Sequence, residues 1–236
     1  MQKLLVYLNA VLLVLIPLLA AAANASDKSK DDERLRKCGS VLRGILDESD
    51  EIPQNLLDRA DCVVVFPSVL KASHIGGGSY GRGAMSCRQG DDFKGSWGAP
   101  TMMTLEGGSF GFQISEKDTD LVLLVTNECG ARVILNSKVK LGADASAAAG
   151  LVGRDSSVGS EAALRAELLS YSRTPGVFAG VSLEGSVIRP SNGDNRRLYG
   201  RNIPARDIAL SGAVAVPPAA RELISTLGTQ TPKRRA

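Results

Sequence analysis

The stretch Asp61-Cys62-Val63-Val64-Val65-Phe66-Pro67 decides the fold class. Three consecutive β-branched valines between Cys62 and Phe66, closed by a proline, predict a buried β-strand. Further strand-like segments follow it, separated by glycines, at Tyr80–Arg88, Ala99–Leu105, Ser109–Ser115 and Leu121–Thr126. The sequence therefore predicts an α+β fold, with a mainly antiparallel, barrel-like sheet as the core and short helices around it.

Helical periodicity flanks this strand region on both sides. Apolar residues at helical spacing predict an amphipathic helix over Arg34–Asp47. Shorter helices are expected at Gln54–Ala60, Ala131–Asn136, Asp194–Tyr199, Ala205–Ala209 and Pro218–Leu227.

The carboxyl-terminal half contains weaker strand patterns. Alternating small residues over Leu141–Ala149 predict a strand with a small-residue face. The second half of Glu161–Ser170 is expected to pair with Val177–Ile188. No linker divides the chain, so we expect one domain over residues 34–228, with a polar linker at 26–33 and a basic disordered tail at 229–236.

The first 25 residues have the layout of a secretory signal peptide. Lys3 gives a positive end, Ala10–Ala23 is apolar apart from Pro17, and Ala23-Asn24-Ala25 matches the small-x-small cleavage pattern. We expect cleavage after Ala25 and a secreted or periplasmic mature protein. The alternative is an uncleaved membrane anchor, although the apolar run is short for a span of ~20 residues.

The charge of the chain argues against nucleic-acid binding. The formal net charge is +3, but without Lys3 and the three basic residues of the tail, 24 basic residues face 25 acidic ones. Aromatic residues make up only 4% of the chain, so few rings could stack on bases. The acidic run Asp31-Asp32-Glu33 is interpreted as solvated charge, and Arg196-Arg197 as a solvated helix face rather than a phosphate grip.

Expected secretion determines how the cysteines are interpreted. Cys38, Cys62, Cys87 and Cys129 are an even number in an oxidising compartment, and they allow three pairings. We favour Cys62 with Cys87, because both lie in strand-like runs joined by a glycine-rich region, and Cys38 with Cys129 then follows by elimination. Free buried thiols are the alternative. With no C-x-x-C pair and a single histidine, no metal and no cofactor is expected.

Two motif matches point to enzymes, but neither has the required context. Gly76–Gly81 matches G-x-G-x-x-G, yet no helical pattern follows it, as a dinucleotide site requires. Ser79 and Ser109 each lie in G-x-S-x-G, but His74, the only histidine, precedes both, whereas in α/β-hydrolases the histidine follows the serine. We therefore predict glycine-rich sheet turns and a protein that is not an enzyme.

The amphipathic helix Arg34–Asp47 offers a physical route to function. An apolar face flanked by cations can lie at a bilayer surface, where each basic residue near anionic lipid contributes ~1 kcal/mol. The alternative is that the apolar stripe packs on the core of its own domain, in which case the basic edge can still face lipid.

An ordered set of short segments extends over roughly Arg34–Leu227, nearly the whole mature chain. The segments are Ile52-Pro53 with Leu56-Leu57, Val65-Phe66-Pro67-Ser68-Val69 with Lys71-Ala72, Gly81-Arg82-Gly83, Trp97-Gly98-Ala99-Pro100, Gly108-Ser109-Phe110-Gly111-Phe112-Gln113, Asp120-Leu121-Val122-Leu123, Leu141-Gly142-Ala143-Asp144-Ala145-Ser146, Leu169-Ser170-Tyr171-Ser172-Arg173 and Gly176-Val177-Phe178-Ala179-Gly180. Together they resemble the SYLF domain family, known from eukaryotic actin-patch and endocytic proteins and from secreted bacterial proteins. The resemblance implies a compact α+β domain that binds membrane lipid, phosphoinositides in the eukaryotic members, without catalysis.

The resemblance also implies where lipid contact lies, namely on the amino-terminal helix and nearby basic residues. These correspond to basic Arg34, Arg36, Lys37, Arg43 and Lys71 and to apolar Leu35, Val41 and Leu42. Where relatives often have Lys-Ala-Gly-Phe, this chain has Lys71-Ala72-Ser73-His74, which loses an apolar contact. Secretion would separate the chain from cytosolic phosphoinositides and actin, so we predict anionic phospholipid of a cell envelope as the partner. An envelope scaffold that binds protein without a lipid ligand is the alternative.

Overall fold

A computed structural model describes residues 26–47, 52–72, 78–107, 119–150, 165–174 and 177–231. Several predictions fall outside these residues. They are the signal peptide at 1–25, the strand Ser109–Ser115, the only histidine, His74, and the last residues of the tail, 232–236.

The strands within the described residues form one curled sheet. In chain order they are β1 Cys62–Ala72, β2 Gly78–Cys87, β3 Thr101–Gly107, β4 Thr119–Val125, β5 Val139–Lys140, β6 Ala147–Ala149, β7 Leu168–Thr174, β8 Val177–Gly180 and β9 Val187–Pro190. The sheet order is β5-β9-β3-β2-β1-β4-β7-β6, with β8 also paired to β7. Only the β6–β7 pair is parallel among these strands. The chain is thus a mixed α/β single domain around a mainly antiparallel half-barrel.

Helices cover both faces of this sheet. They are α1 at residues 26–47, α2 Gln54–Arg59, α3 Glu128–Asn136, α4 Asn192–Tyr199, α5 Ala205–Leu210 and α6 Arg221–Gln230, the last preceded by a 3₁₀ turn at Pro218–Ala220. No helix of the described residues has the length and apolarity to cross a bilayer.

The first helix is longer than predicted. Residues 26–33, which we expected to be a polar linker, are helical and continuous with the amphipathic segment. Ion pairs at helical spacing, Lys30–Asp27 at 3.2 Å and Lys37–Glu33 at 3.1 Å, support this polar stretch as helix. The polar residues 26–33 therefore belong to the first helix rather than to an irregular linker.

Side chains that alternate along the strands divide the core into two layers. One layer contains Val64 and Phe66 of β1 together with residues of α3 and α5. The other contains Val63 and Val65 of the same strand together with residues of α1, α2 and α6. The sheet therefore separates α1 from α3.

This separation decides the cysteine chemistry. Cys62 and Cys87 are directly opposite each other on β1 and β2 and form a disulfide, as predicted. The pairing of Cys38 with Cys129 is wrong: both thiols are free. Cys38 is on the buried side of α1, where its Sγ lies 3.5 Å from the carbonyl oxygen of Val65, whereas Cys129 is exposed at the start of α3. The two cysteines lie on opposite faces of the sheet.

The predicted strand Leu141–Ala149 is not a single strand. Within it, residues 142–144 form a turn and only β6 is a strand, while β5 ends just before it. In the turn, Gly142 has a φ of +85° and the Asp144 carboxylate accepts the N–H of Lys140 at 2.7 Å. Similarly, the predicted strand Val177–Ile188 is two strands. The first, β8, pairs with β7 as predicted, while β9 pairs with β3 and β5 instead.

We predicted a disordered tail from residue 229, but the ordered structure continues beyond that residue. Helix α6 continues to Gln230, and Thr231 is fully buried. The indole N–H of Trp97 donates to Oγ1 of Thr231 at 2.9 Å, and Nη2 of Arg88 donates to its carbonyl oxygen at 3.2 Å. These two contacts hold the end of α6 against the sheet.

Candidate lipid-contact site

The apolar stripe of α1 is not available as a lipid-contact face. Leu35 and Leu42 are both 0% exposed, and Val41 is half-buried against the same layer. The stripe packs on β1, α2 and α6, because these elements supply the matching apolar surface. Our assignment of Leu35 and Leu42 to lipid contact is therefore corrected: in this conformation both serve the core.

Two of the predicted basic residues face outward from α1. Arg36 is exposed and has no acidic partner among the described residues. Lys37 is exposed and pairs with Glu33 at 3.1 Å, with both side chains more than half exposed. Such an exposed pair contributes only ~0–1 kcal/mol, so Lys37 can exchange Glu33 for another anion at little cost.

Arg34 and Arg43 are held by carboxylates of the domain itself. Nη1 of Arg34 lies 2.7 Å from Oδ1 of Asp31, and the Arg34 side chain is only 17% exposed. Nη2 of Arg43 lies 2.6 Å from Oε1 of Glu222 on α6. The Arg43 pair therefore attaches α1 to α6, whereas the Arg34 pair lies within α1 itself.

A groove separates α1 from a bulge in β1. The register of β1 shifts against both neighbours around Pro67 and Ser68, and Ser68 has a φ of +50°, which is uncommon outside glycine. The N–H of Ser68 donates to Oδ1 of Asp120 at 2.9 Å, which fixes the bulge. The groove has a volume of about 230 Å³ and is lined by Lys30, Glu33, Arg34, Lys37, Pro67 and Ser68. Of its three cations, Arg34 is held by buried Asp31, whereas Lys30 and Lys37 have only the exposed partners Asp27 and Glu33, which an anionic occupant could replace.

Lys71 lies beyond the bulge, opposite Ser79 in the ladder of β1 and β2. The structure therefore places it on the same strand as the groove and close to it in sequence.

A buried ion cluster fixes the amino-terminal half of α1. Asp31, which we interpreted as solvated, is 1% exposed and accepts a hydrogen bond from Nε of Arg197 at 3.1 Å. Arg82 of β2 and Arg197 both donate to Asp194 of α4. Sequence reasoning missed this cluster, since its members are far apart in the chain.

The electrostatics of the cluster follow from these contacts. Burial alone would raise the pKa of Asp194, but hydrogen bonds from Arg82 and Ser191 and the charge of Arg197 hold it below its ordinary value. Burial alone would lower the pKa of Arg82, but its hydrogen bond to Asp194 raises it. Asp194 and Arg82 are therefore charged at neutral pH, and the contacts of Arg197 with both Asp31 and Asp194 attach the helix.

The serine motifs have no catalytic geometry within the described residues. Ser79 is buried inside β2, and the chain continues as a strand rather than turning into a helix. No group of three or more possible metal ligands occurs in the described ranges.

These features define a class: a curled, mainly antiparallel sheet with an amphipathic helix attached to one face by a buried ion cluster. A family model described as "Ysc84: Las17-binding protein actin regulator" matches residues 106–230. The chain therefore belongs to the Ysc84 family, whose domain is the SYLF domain that the sequence resembles.

Curated relatives agree with this assignment. The chain is 35% identical over 204 residues to an SH3 domain-containing protein of Schizosaccharomyces pombe, covering 83% of this chain and 46% of that protein. It is 33% identical over 201 residues to protein YSC84 of Saccharomyces cerevisiae, covering 81% and 42%. It is 31% identical over 183 residues to SH3 domain-containing YSC84-like protein 1 of Mus musculus, covering 77% and 52%. The chain thus spans about half the length of these relatives.

Proposed function

We propose that the mature protein is a secreted or periplasmic domain, without enzymatic activity, that associates with anionic phospholipid at a cell envelope. The observation that carries this proposal is the set of exposed cations on α1, Lys30, Arg36 and Lys37, on a helix whose apolar side is fixed to the core. A fixed helix presents its cations in one orientation, so binding does not require the helix to fold first.

The expected strength of this association is modest. Each cation near an anionic membrane contributes ~1 kcal/mol, so the three residues together favour anionic over neutral membranes by at most roughly a hundredfold, because Lys30 and Lys37 must first leave Asp27 and Glu33. Because the Debye length is only ~8 Å at physiological ionic strength, the attraction should weaken as salt is added. The proposal is therefore one of peripheral, salt-sensitive binding.

Secretion is supported by two independent features. One is the layout of residues 1–25, and the other is the Cys62–Cys87 disulfide, a bond that persists in oxidising compartments. The absence of enzymatic activity is supported by the burial of Ser79 within a strand, since a nucleophile must be accessible to its substrate.

Sedimentation of the mature chain with vesicles tests the proposal. We expect binding to vesicles of phosphatidylcholine mixed with phosphatidylglycerol, weaker binding in high salt, and little binding to phosphatidylcholine alone. The triple variant Lys30→Gln/Arg36→Gln/Lys37→Gln should lose most of the binding. The control triple variant Lys94→Gln/Lys138→Gln/Lys140→Gln removes the same charge from exposed sites outside α1 and should bind like wild type. Equal loss in both variants, or equal recovery with both kinds of vesicle, contradicts the proposal.

A second candidate function is protein binding. It is favoured by the family description, which names Las17 binding, and by yeast relatives named "LAS seventeen-binding protein 3". In that case the same surface would bind a protein of the envelope. Partners that stay bound after detergent removes all lipid, and that the triple α1 variant no longer retains, would support this alternative.

A further inference from the structure

The described residues expose three large apolar side chains, and all three lie at one end of the sheet. Leu70 is 61%, Val177 59% and Tyr80 42% exposed. Leu70 and Tyr80 are direct cross-strand partners near the junction of β1 and β2, and Val177 begins β8 opposite Thr174. Because the β1–β4, β4–β7 and β7–β8 pairs are all antiparallel, the end of β1 and the start of β8 point the same way. We call this region the apolar end, defined by Leu70, Tyr80 and Val177.

The bulge in β1 separates this end from the covered part of the sheet. Val65 and Ala84, the preceding pair on the same face as Leu70 and Tyr80, are buried in the layer that contains α1. Beyond the bulge at Pro67 and Ser68, the ladder resumes with Leu70 opposite Tyr80, and both are exposed. The strands thus carry an apolar pair out of the core instead of ending with polar residues.

Cations lie beside the apolar pair. The groove between α1 and the bulge is lined by Lys30, Glu33, Arg34 and Lys37 on one wall and by Pro67 and Ser68 on the other. Ser68 precedes Leu70 by two residues on the same strand. The groove and Leu70 are therefore neighbours along β1, so charge that could meet phosphate and apolar surface that could meet the layer below it occur on the same stretch of strand.

This combination fits the interface of a phospholipid bilayer. Tyrosine concentrates at the level of the lipid headgroups because its ring is apolar and its hydroxyl is polar. Lysine side chains can extend along the same surface and keep their ammonium groups among the phosphates. A protein partner would need a complementary cavity, whereas a bilayer accepts a protruding apolar pair flanked by cations without one.

We propose that the apolar end enters the interfacial region of the bilayer, with Lys30 and Lys37 against lipid phosphates. The inference rests on the proposed lipid binding and adds to it the orientation of the domain. The end of β1 and the start of β2 would face the membrane. The apolar contacts add a part of the binding that salt does not remove. Leu70→Ser should therefore weaken vesicle binding in high salt by about tenfold, because the substitution removes most of the apolar side chain that would contact the bilayer.

A tryptophan reporter tests the orientation directly. The sequence contains one tryptophan, Trp97, which is 6% exposed and gives a constant buried background. Leu70→Trp places a second indole at the apolar end. The matched control Thr229→Trp places it at an exposed position near the opposite end, since Thr231 contacts Arg88, the residue that follows β2.

With vesicles of phosphatidylcholine and phosphatidylglycerol, Leu70→Trp should shift its emission to shorter wavelength and be quenched by lipids brominated near the glycerol backbone, while Thr229→Trp should do neither. Unchanged emission of Leu70→Trp in protein that sediments with vesicles overturns the orientation but leaves the proposed function intact. Failure of wild type to sediment overturns both. A concentration-dependent shift without vesicles shows that a second copy covers the apolar end and also overturns the inference. If Leu70→Trp does not fold, Tyr80→Trp takes its place.

Discussion

Asp31 on α1 accepts a hydrogen bond from Nε of Arg197 on α4 at 3.1 Å, across 166 residues of sequence. The Asp31 carboxylate is almost fully buried and also lies 2.7 Å from Nη1 of Arg34. A buried carboxylate needs such partners, because an isolated charge in the interior is strongly unfavourable. The pair therefore connects the first helix of the described chain to its carboxyl-terminal part.

Asp31→Asn should lower the free energy of unfolding by roughly 2–4 kcal/mol. Removing one partner of a buried ion pair leaves the other charges uncompensated, and the value lies towards the lower part of the usual range because Arg82 and Arg197 are about one-third exposed. Urea unfolding measures the change. The control is Asp27→Asn, whose exposed pair with Lys30 should change stability by no more than ~0.5 kcal/mol. Equal effects of the two substitutions would contradict the role of Asp31.

Stability should depend on the ionisation of Asp194. Its pKa is lower in the folded protein than in the unfolded chain, where it is about 3.9, so its contribution is complete above that pH and is lost as pH falls through the folded pKa. Wild type should therefore lose more stability than Asp194→Asn between neutral pH and pH values below about 4. Urea unfolding over this range checks the prediction, and parallel pH profiles of the two proteins would count against it.

Loss of the Cys62–Cys87 disulfide should reduce stability by ~3–4 kcal/mol, because it closes a loop with a sequence separation of 25. The double variant Cys62→Ser/Cys87→Ser should show this loss in urea unfolding, and a reductant should then have no further effect. Cys129→Ser removes an exposed free thiol and should leave stability unchanged. Destabilisation of wild type by reductant that is no greater than in the double variant would refute the prediction.

The two free thiols should differ sharply in reactivity. Burial raises the pKa of Cys38 to about 12, so its reactive thiolate is scarce at pH 8, whereas Cys129 is exposed. Native protein treated with iodoacetamide should gain one adduct, on Cys129, and unfolded, unreduced protein should gain two. Mass spectrometry of the peptides locates the adducts. Rapid labelling of Cys38 in native protein would show that α1 leaves the core readily.

Gly150→Ala should destabilise the protein by about 1–3 kcal/mol. A methyl group at Gly150 would lie 2.1 Å from the ring of Tyr171, which is fully buried and stacked on Phe178. The matched substitution Gly228→Ala has open space around it within α6, so it should stabilise the protein by ~0.5–1 kcal/mol through helix propensity. Thermal unfolding should move in opposite directions for the two variants; a shared direction would show that packing at Gly150 is not the cause.

Local sequence was a good guide to the central strands. The β-branched run at Cys62–Phe66 forms the centre of the sheet, and the predicted Tyr80–Arg88 and Leu121–Thr126 agree with β2 and β4 within two residues at each end. Such runs are informative because a strand buried on both faces must be apolar at nearly every position.

Predictions from local sequence were wrong where a glycine turned the chain or where a charged residue became buried. Gly142, whose φ is positive, begins a turn near the start of the predicted strand Leu141–Ala149, so that only Ala147–Ala149 forms a strand there. Asp31 lies in a polar run typical of a linker, yet it is buried by partners that only the folded chain supplies. Only part of the candidate lipid site could be predicted from the sequence. Helical periodicity placed Arg36 and Lys37 on a helix, but it did not indicate that Leu35 is buried or that Leu70 is exposed.

By itself, the amino-acid sequence determined the family, the positions of the central strands, the amphipathic first helix and the partner of Cys62. Each of these depends on residues close together in the chain or on an ordered set of local segments. Only the tertiary structure decided which side of α1 meets the core, which cysteines remain free and where apolar surface is left outside. The physical reason is that burial belongs to the packing of distant elements: Leu35 and Leu70 are the same residue type, and one is covered by the sheet while the other extends past the bulge.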